Sequence, residues 1–126
     1  FDSEQLELLL DRATVRPAFV QNRCFAATGW DWQMRQVCRE HGITYQGFSL
    51  LTANRGIWLG PRVAEVGDTH SLAPAQVIFC LALELGMLPL TGTTDAAHMA
   101  DALACRTGVL AAAEVAELEA IALRQG

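Results

Sequence analysis

The sequence contains no lysine. Its nine basic residues are all arginines, scattered singly from Arg12 to Arg124, and the formal net charge is −5 with a pI near 5.0. Without a basic stripe to follow a phosphate backbone, no nucleic-acid partner is expected. A long uncharged apolar run is also missing. The best candidate, residues 73–90, is broken by Glu84 and Pro89, short of the roughly 20 residues of a membrane span, so no membrane partner is expected either. The opening FDSEQLELLL has acidic residues where a secretory leader needs positive ones and offers no cleavage-like site, which makes a cytoplasmic address the expectation. Cys24, Cys38, Cys80 and Cys105 form no CxxC and lie 14, 42 and 25 residues apart. Metal ligation is therefore not expected, and buried reduced thiols are.

What is present is apolar. Hydrophobic residues make up 52% of the 126 and charged ones 18%, as suits one packed domain. The chain is organised around residues 88–95, LPLTGTTD. Met87, Leu88 and Leu90 make an apolar run of strand length, and Gly92 removes side-chain bulk where the chain must turn. Thr93, Thr94 or Asp95 can then cap a helix carried by Ala96, Ala97, Met99, Ala100 and Leu103. Strand, turn and helix N-terminus in succession bring backbone N–H groups and the positive end of a helix dipole together, a geometry suited to anions. An ordinary capped helix after a strand has the same sequence pattern, and both readings stand at this point.

Two further strands precede this motif. Ser3 is placed to cap a first helix with Leu6, Leu9 and Leu10 on one face and Glu4 and Glu7 in its first turns. After Pro17, the residues Ala18, Phe19 and Val20 read as a buried strand leading to a polar rim at Gln21 and Asn22. The segment 31–41 reads as a helix with Met34, Val37 and Cys38 inward and Gln33, Arg35, Arg39 and Glu40 elsewhere, stopped by Gly42. The second strand and its exit fall in 43–51, with Phe48 and Ser49 level with Gln21 and Asn22. Residues 52–60 read as a loop with Ile57 and Trp58 in it. Pro61 opens a short helix, a longer one follows Pro74 with Val77, Ile78, Leu81 and Leu85 inward, and Gly86 ends it. A last helix runs from about Ala112 to Arg124. Three strand-then-helix units in series imply a parallel α/β sheet with right-handed crossovers.

The stretches RPAFVQNRCF, CREHGITYQGFSLL and LAPAQVIFCLALELGMLPLTGTT resemble, in order and spacing, the C-terminal half of the aldo-keto reductases. The resemblance covers nearly the whole chain. It implies parallel (β/α) units forming the C-terminal half of a TIM-type (β/α)8 barrel, with residues 1–126 a single partial domain and Phe1 following the Ser-Asn pair that ends the family's fifth strand. A complete barrel needs about 250 residues. The missing N-terminal half, a nicotinamide cofactor and a small carbonyl substrate are then the implied partners. NADP(H) or NAD(H) is the implied cofactor. Gln21 resembles the glutamine that hydrogen-bonds the nicotinamide carboxamide, and Phe48 stands where the family more often has a tyrosine stacked on the ring. Ser49, Leu51, Gly92, Thr93 and Thr94 resemble the pyrophosphate and adenosine-phosphate contacts.

The departures bear on cofactor choice. Gly92 stands where many members have lysine, His98 where many have arginine and Ala102 where asparagine is usual. An imidazole cannot make the bidentate contact of arginine with a phosphate, so a blunted preference for NADPH over NADH follows, with His98 read either as a phosphate contact or as a solvated residue. The family's catalytic Asp, Tyr, Lys and His lie in its N-terminal half, and no catalytic residue is assigned here. Tyr45, the one tyrosine, sits mid-strand without an acid partner near it in sequence, and His41 and His70 read as helix-end or surface residues. The implied activity is the cofactor-binding half of an NAD(P)H-dependent oxidoreductase that reduces aldehydes or ketones. A non-catalytic nucleotide-sensing or interaction module of the same shape is the alternative, and an unrelated small α/β phosphate binder a third.

Overall fold

The structure is a computed structural model that describes residues 2–123. Phe1, on which the expected junction with a preceding strand rests, and Arg124, where the last helix is expected to end, lie outside the described residues.

Helix α1 (Ser3–Arg12) starts one residue earlier than the sequence suggests. Asp2, not Ser3, is the cap: its carboxylate accepts from Gln5 N at 2.9 Å while Gln5 Oε1 accepts from Asp2 N at 2.9 Å, the reciprocal pairing that satisfies two helix-end donors at once. Leu6 and Leu10, four residues apart, are buried, whereas Leu9 lies a step round the helix and stays exposed.

Three short strands form one parallel sheet in the order β1-β2-β3, as the three units imply. They are β1 (Phe19–Arg23), β2 (Thr44–Phe48) and β3 (Leu88–Pro89). Gln21 is level with Gln46 and Arg23 with Phe48, and Gln46 is level with Leu88. Side chains alternate between faces, so Val20, Tyr45 and Gly47 turn to the buried side. Phe19, Gln21, Arg23, Thr44, Gln46, Phe48 and Leu88 share the other. That second face is open: Phe19 is 58% exposed and Leu88 43%. The expected buried run of Ala18, Phe19 and Val20 is thus a half-covered strand in which only Val20 is buried. Gly47, which breaks the apolar alternation of β2, is explained by packing. A Cβ there would come within 2.8 Å of Met87 Sδ, so the thioether occupies the space that any side chain would need.

Helix α2 (Trp32–Glu40) buries Met34, Val37 and Cys38 as its spacing requires, and Gly42 follows with φ +67°. Arg35, expected on the solvent side, is buried as well. Its guanidinium donates to Trp30 O (2.8 Å), Gly29 O (3.0 Å) and Leu85 O (3.3 Å) and meets Glu119 at 2.9 Å. A charge out of water is tolerable only with such a set of acceptors, and three of the four are backbone carbonyls that sequence cannot advertise.

The segment expected as a loop at 52–60 contains the one-turn helix α3 (Arg55–Trp58). Helix α4 (Pro61–His70), expected as a short helix, runs a full ten residues. Helix α5 (Pro74–Glu84) buries Phe79, Cys80 and Ala82 in addition to the expected Val77, Ile78 and Leu81, so it is a central helix rather than a one-faced one. Gly86 ends it with φ +80°. After β3 come α6 (Ala96–Leu103) and α7 (Ala112–Glu119). Helix α7 is bound to the rest by Trp30 Nε1 donating to Leu118 O (3.0 Å), by Arg62 to both oxygens of Glu117 (2.7 and 2.8 Å), and by His70 with Glu114 (2.7 Å). No helix among the described residues is long and apolar enough to cross a membrane.

Candidate functional site

Parallel α/β sheets collect ligands at the carboxyl ends of their strands, because there the chain leaves the sheet in loops whose backbone groups are free to bind. At that rim, β2 ends on Phe48 and the next residue, Ser49, adopts φ +56°. A serine in the left-handed region carries strain of about 1–3 kcal/mol, and such residues persist where surrounding contacts hold them. Here the holder is Asn54. Its buried amide accepts from Ala26 N (2.7 Å) and donates to Cys24 O (2.9 Å) and Leu50 O (2.8 Å), lashing the exit of β2 to the exit of β1. Trp58 Nε1 adds a bond to Leu51 O (2.9 Å). Sequence reasoning passed over Asn54, although an asparagine in TANRGI is the residue type that fastens loops by bonding backbone groups.

A cavity of about 410 Å3 lies between this loop and the exit of β3. Its walls include Phe48, Ser49, Leu51 and Gly92 of the predicted set, joined by Phe79 from α5 and by Thr91, neither of which the sequence singled out. Thr91 directly precedes the turn and could have been taken with it. The conformation of Gly92 is not the left-handed one, and a Cβ built there meets nothing within 4 Å. The turn therefore does not demand glycine, contrary to the expectation, and the missing side chain leaves open space on the cavity wall.

Gln21 is outside the cavity. It lies on the neighbouring strand, on the open face two residues short of the rim, with its amide donating to Gln46 Oε1 at 3.4 Å. Thr93, Thr94 and His98 lead away from Gly92 onto α6 and do not line the cavity. Asp95 is the residue that caps α6. One carboxylate oxygen accepts from Ala97 N (2.8 Å) and His98 N (3.1 Å), and these bonds, that to His98 foremost, hold its pKa below the ordinary aspartate value. The expectation of unpaired N–H groups at this helix end is thus corrected: two of them are already taken by a carboxylate. Thr93 Oγ1 accepts from Asp95 N at 3.1 Å, which leaves its hydroxyl proton to donate elsewhere.

Tyr45 is corrected as well. It faces the helices, and its hydroxyl donates to Asp31 Oδ2 at 2.7 Å, so it does have an acid partner, one that lies fourteen residues earlier in the chain. Burial above all, with the neighbouring Cys24 and Asp31, drives its pKa far upward and keeps the phenol protonated. Cys24, Cys38 and Cys80 are buried free thiols and Cys105 is half-buried. Burial pushes Cys24 up to about 12 and Cys38 to about 11, which makes both inert at neutral pH. A larger cavity, about 760 Å3, lies between α1, α2 and α7 and contains none of the predicted residues. Among the described residues no cluster of three or more His, Cys, Asp or Glu side chains could hold a metal ion.

No protein-family model matches the chain, and no curated protein does so either. Solved structures do. The aldose reductase from Schistosoma japonicum superposes with a TM-score of 0.85 over 98% of this chain at 20% identity. The fold is that of the aldo-keto reductases. The aldo-keto reductase of the silkworm, Bombyx mori, a protein also solved in complex with NADPH, gives 0.83 over 94% at 17% identity, and that of Brucella melitensis 0.81 over 94% at 18%. The chain spans 40%, 39% and 45% of the lengths of these three, well under a whole aldo-keto reductase. Its three-stranded parallel sheet is an arc of the family's (β/α)8 barrel.

Proposed function

We propose that residues 1–126 are the cofactor-holding C-terminal half of an NAD(P)H-dependent oxidoreductase that reduces aldehydes or ketones. One observation carries this reading: within an aldo-keto reductase fold, Phe48, Ser49, Leu51 and Gly92 converge on one cavity at the carboxyl rim of the sheet. The open sheet face that begins at Phe19 and ends at Phe48 is, on this reading, the inner wall of the barrel. The bound nicotinamide cofactor supplies the hydride. Phe48 presents its ring beside the rim for stacking, and Gln21 offers a side-chain amide on the same face to a carboxamide. The open space at Gly92 and the spare hydroxyl proton of Thr93 suit phosphate oxygens, while the Asp95 carboxylate repels them from the helix end itself. Tyr45 is bound to Asp31 on the far side of the sheet, so the proton given to the carbonyl oxygen comes from a residue outside this stretch.

Titration of the intact protein with NADPH, followed by nicotinamide fluorescence, tests the reading. Phe48→Ala is expected to weaken binding by about 0.5–1.5 kcal/mol, the usual worth of an aromatic stack. An unchanged dissociation constant returns Phe48 to a packing role and removes the stacking assignment.

A further inference from the structure

Arg23 is the last residue of β1, at the carboxyl rim, on the same open face as Gln21 and level with Phe48 on the next strand. Neighbouring strands lie about 4.8 Å apart, so Arg23 and Phe48 are adjacent positions on that face. The guanidinium rests 5.5 Å from the centroid of Phe25, two residues further on and already past the strand. Arg35 and Arg62 are committed to Glu119 and Glu117. Arg23, by contrast, is exposed, and among the described residues no carboxylate lies within 4 Å of it.

We propose that Arg23 is the carboxylate-binding residue of the substrate pocket, and that the carbonyl compounds this protein handles carry an anionic carboxylate arm. The inference rests on the proposed reductase reading, which makes the Phe48 face the place where a carbonyl carbon meets the cofactor. A guanidinium matches a carboxylate with two parallel N–H···O bonds, and Arg23 is positioned to make them while the carbonyl end of a short oxo acid or carboxylated aldehyde lies over the neighbouring ring position. Gln21 and Gln46, joined to each other below it, leave that end of the face polar but uncharged.

The test compares reduction of 4-carboxybenzaldehyde with that of benzaldehyde by the intact protein and NADPH. The wild type is expected to favour the carboxylated aldehyde in kcat/KM, and Arg23→Gln to cut that preference about tenfold or more, through KM, as suits loss of one charged hydrogen-bonding partner. Arg23→Lys should retain part of it. Reduction of both aldehydes with a ratio unchanged in Arg23→Gln overturns this inference alone. A dissociation constant for NADPH that rises as much as the ratio falls would assign Arg23 to a cofactor phosphate and overturn it too. A protein that reduces neither aldehyde overturns the reductase reading and this inference with it.

Discussion

Asn54→Ala removes a buried amide that makes three hydrogen bonds: one accepted from Ala26 N and two donated, to Cys24 O and Leu50 O. The residue is only 5% exposed, so water cannot readily replace it without opening the loop. A neutral hydrogen bond is worth about 1 kcal/mol net, and a buried donor left unpaired costs about 1–3 kcal/mol. The three together should lower unfolding free energy by about 3 kcal/mol, a large share of the roughly 5–15 kcal/mol of a typical domain. Urea unfolding followed by tryptophan fluorescence reads this directly, and Trp58, bonded to Leu51 O, reports on the same loop. Thr52→Ala, an exposed neighbour, serves as control and should change stability by less than about 0.5 kcal/mol. Hydrogen exchange should rise first at Leu50 to Asn54, because that segment loses its tie to the exit of β1. An Asn54→Ala protein within about 0.5 kcal/mol of wild type would refute the argument, since the strained Ser49 turn would then be holding itself.

Gly67→Ala should destabilise by about 1–3 kcal/mol in the same urea assay, because the added methyl would lie 2.6 Å from the backbone oxygen of Leu72, which no rotamer change can move. Glu114 has its pKa held below the ordinary glutamate value by the Ala111 N–H first and then by His70. A depressed carboxylate contributes its stability above the unfolded pKa and loses it as pH falls through the folded one, so Glu114→Gln should flatten the loss of stability below about pH 4 while wild type keeps it. His98→Arg is expected to raise the ratio of NADPH to NADH affinity about tenfold, measured by fluorescence titration, since a charged bidentate donor would then stand where an imidazole does; an unmoved ratio would take position 98 away from the 2′-phosphate.

Sequence patterns revealed those parts of the fold that a local rule governs. The parallel order of the strands followed from apolar runs alternating with amphipathic helices, and the ends at Gly42 and Gly86 from the positive φ that glycine adopts most easily. In the site, Phe48, Ser49, Leu51 and Gly92 were found from their resemblance and are gathered by the cavity, whereas Gln21, Thr93, Thr94 and His98 lie beside it. What escaped depended on partners far away in the chain. Arg35 reads as a surface charge until Leu85 O and Glu119 are brought to it. Tyr45 looks isolated until the sheet and α2 carry Asp31 to its hydroxyl. Asp95 was one of three equivalent caps in the sequence, and only the geometry of the turn chooses between it and the two threonines.

The attachment of α7 sets an order of events during synthesis. Trp30 and Arg35 leave the ribosome long before Leu118 and Glu119, their partners 88 and 84 residues downstream. Until then the indole N–H of Trp30 has no carbonyl to donate to, and the Arg35 guanidinium has its backbone acceptors but not its carboxylate. Completing these bonds is therefore a closing step, deferred until the last described helix has been made. A chain lacking α7 would keep the buried Arg35 charge without the Glu119 carboxylate that balances it, and the Trp30 N–H without its acceptor.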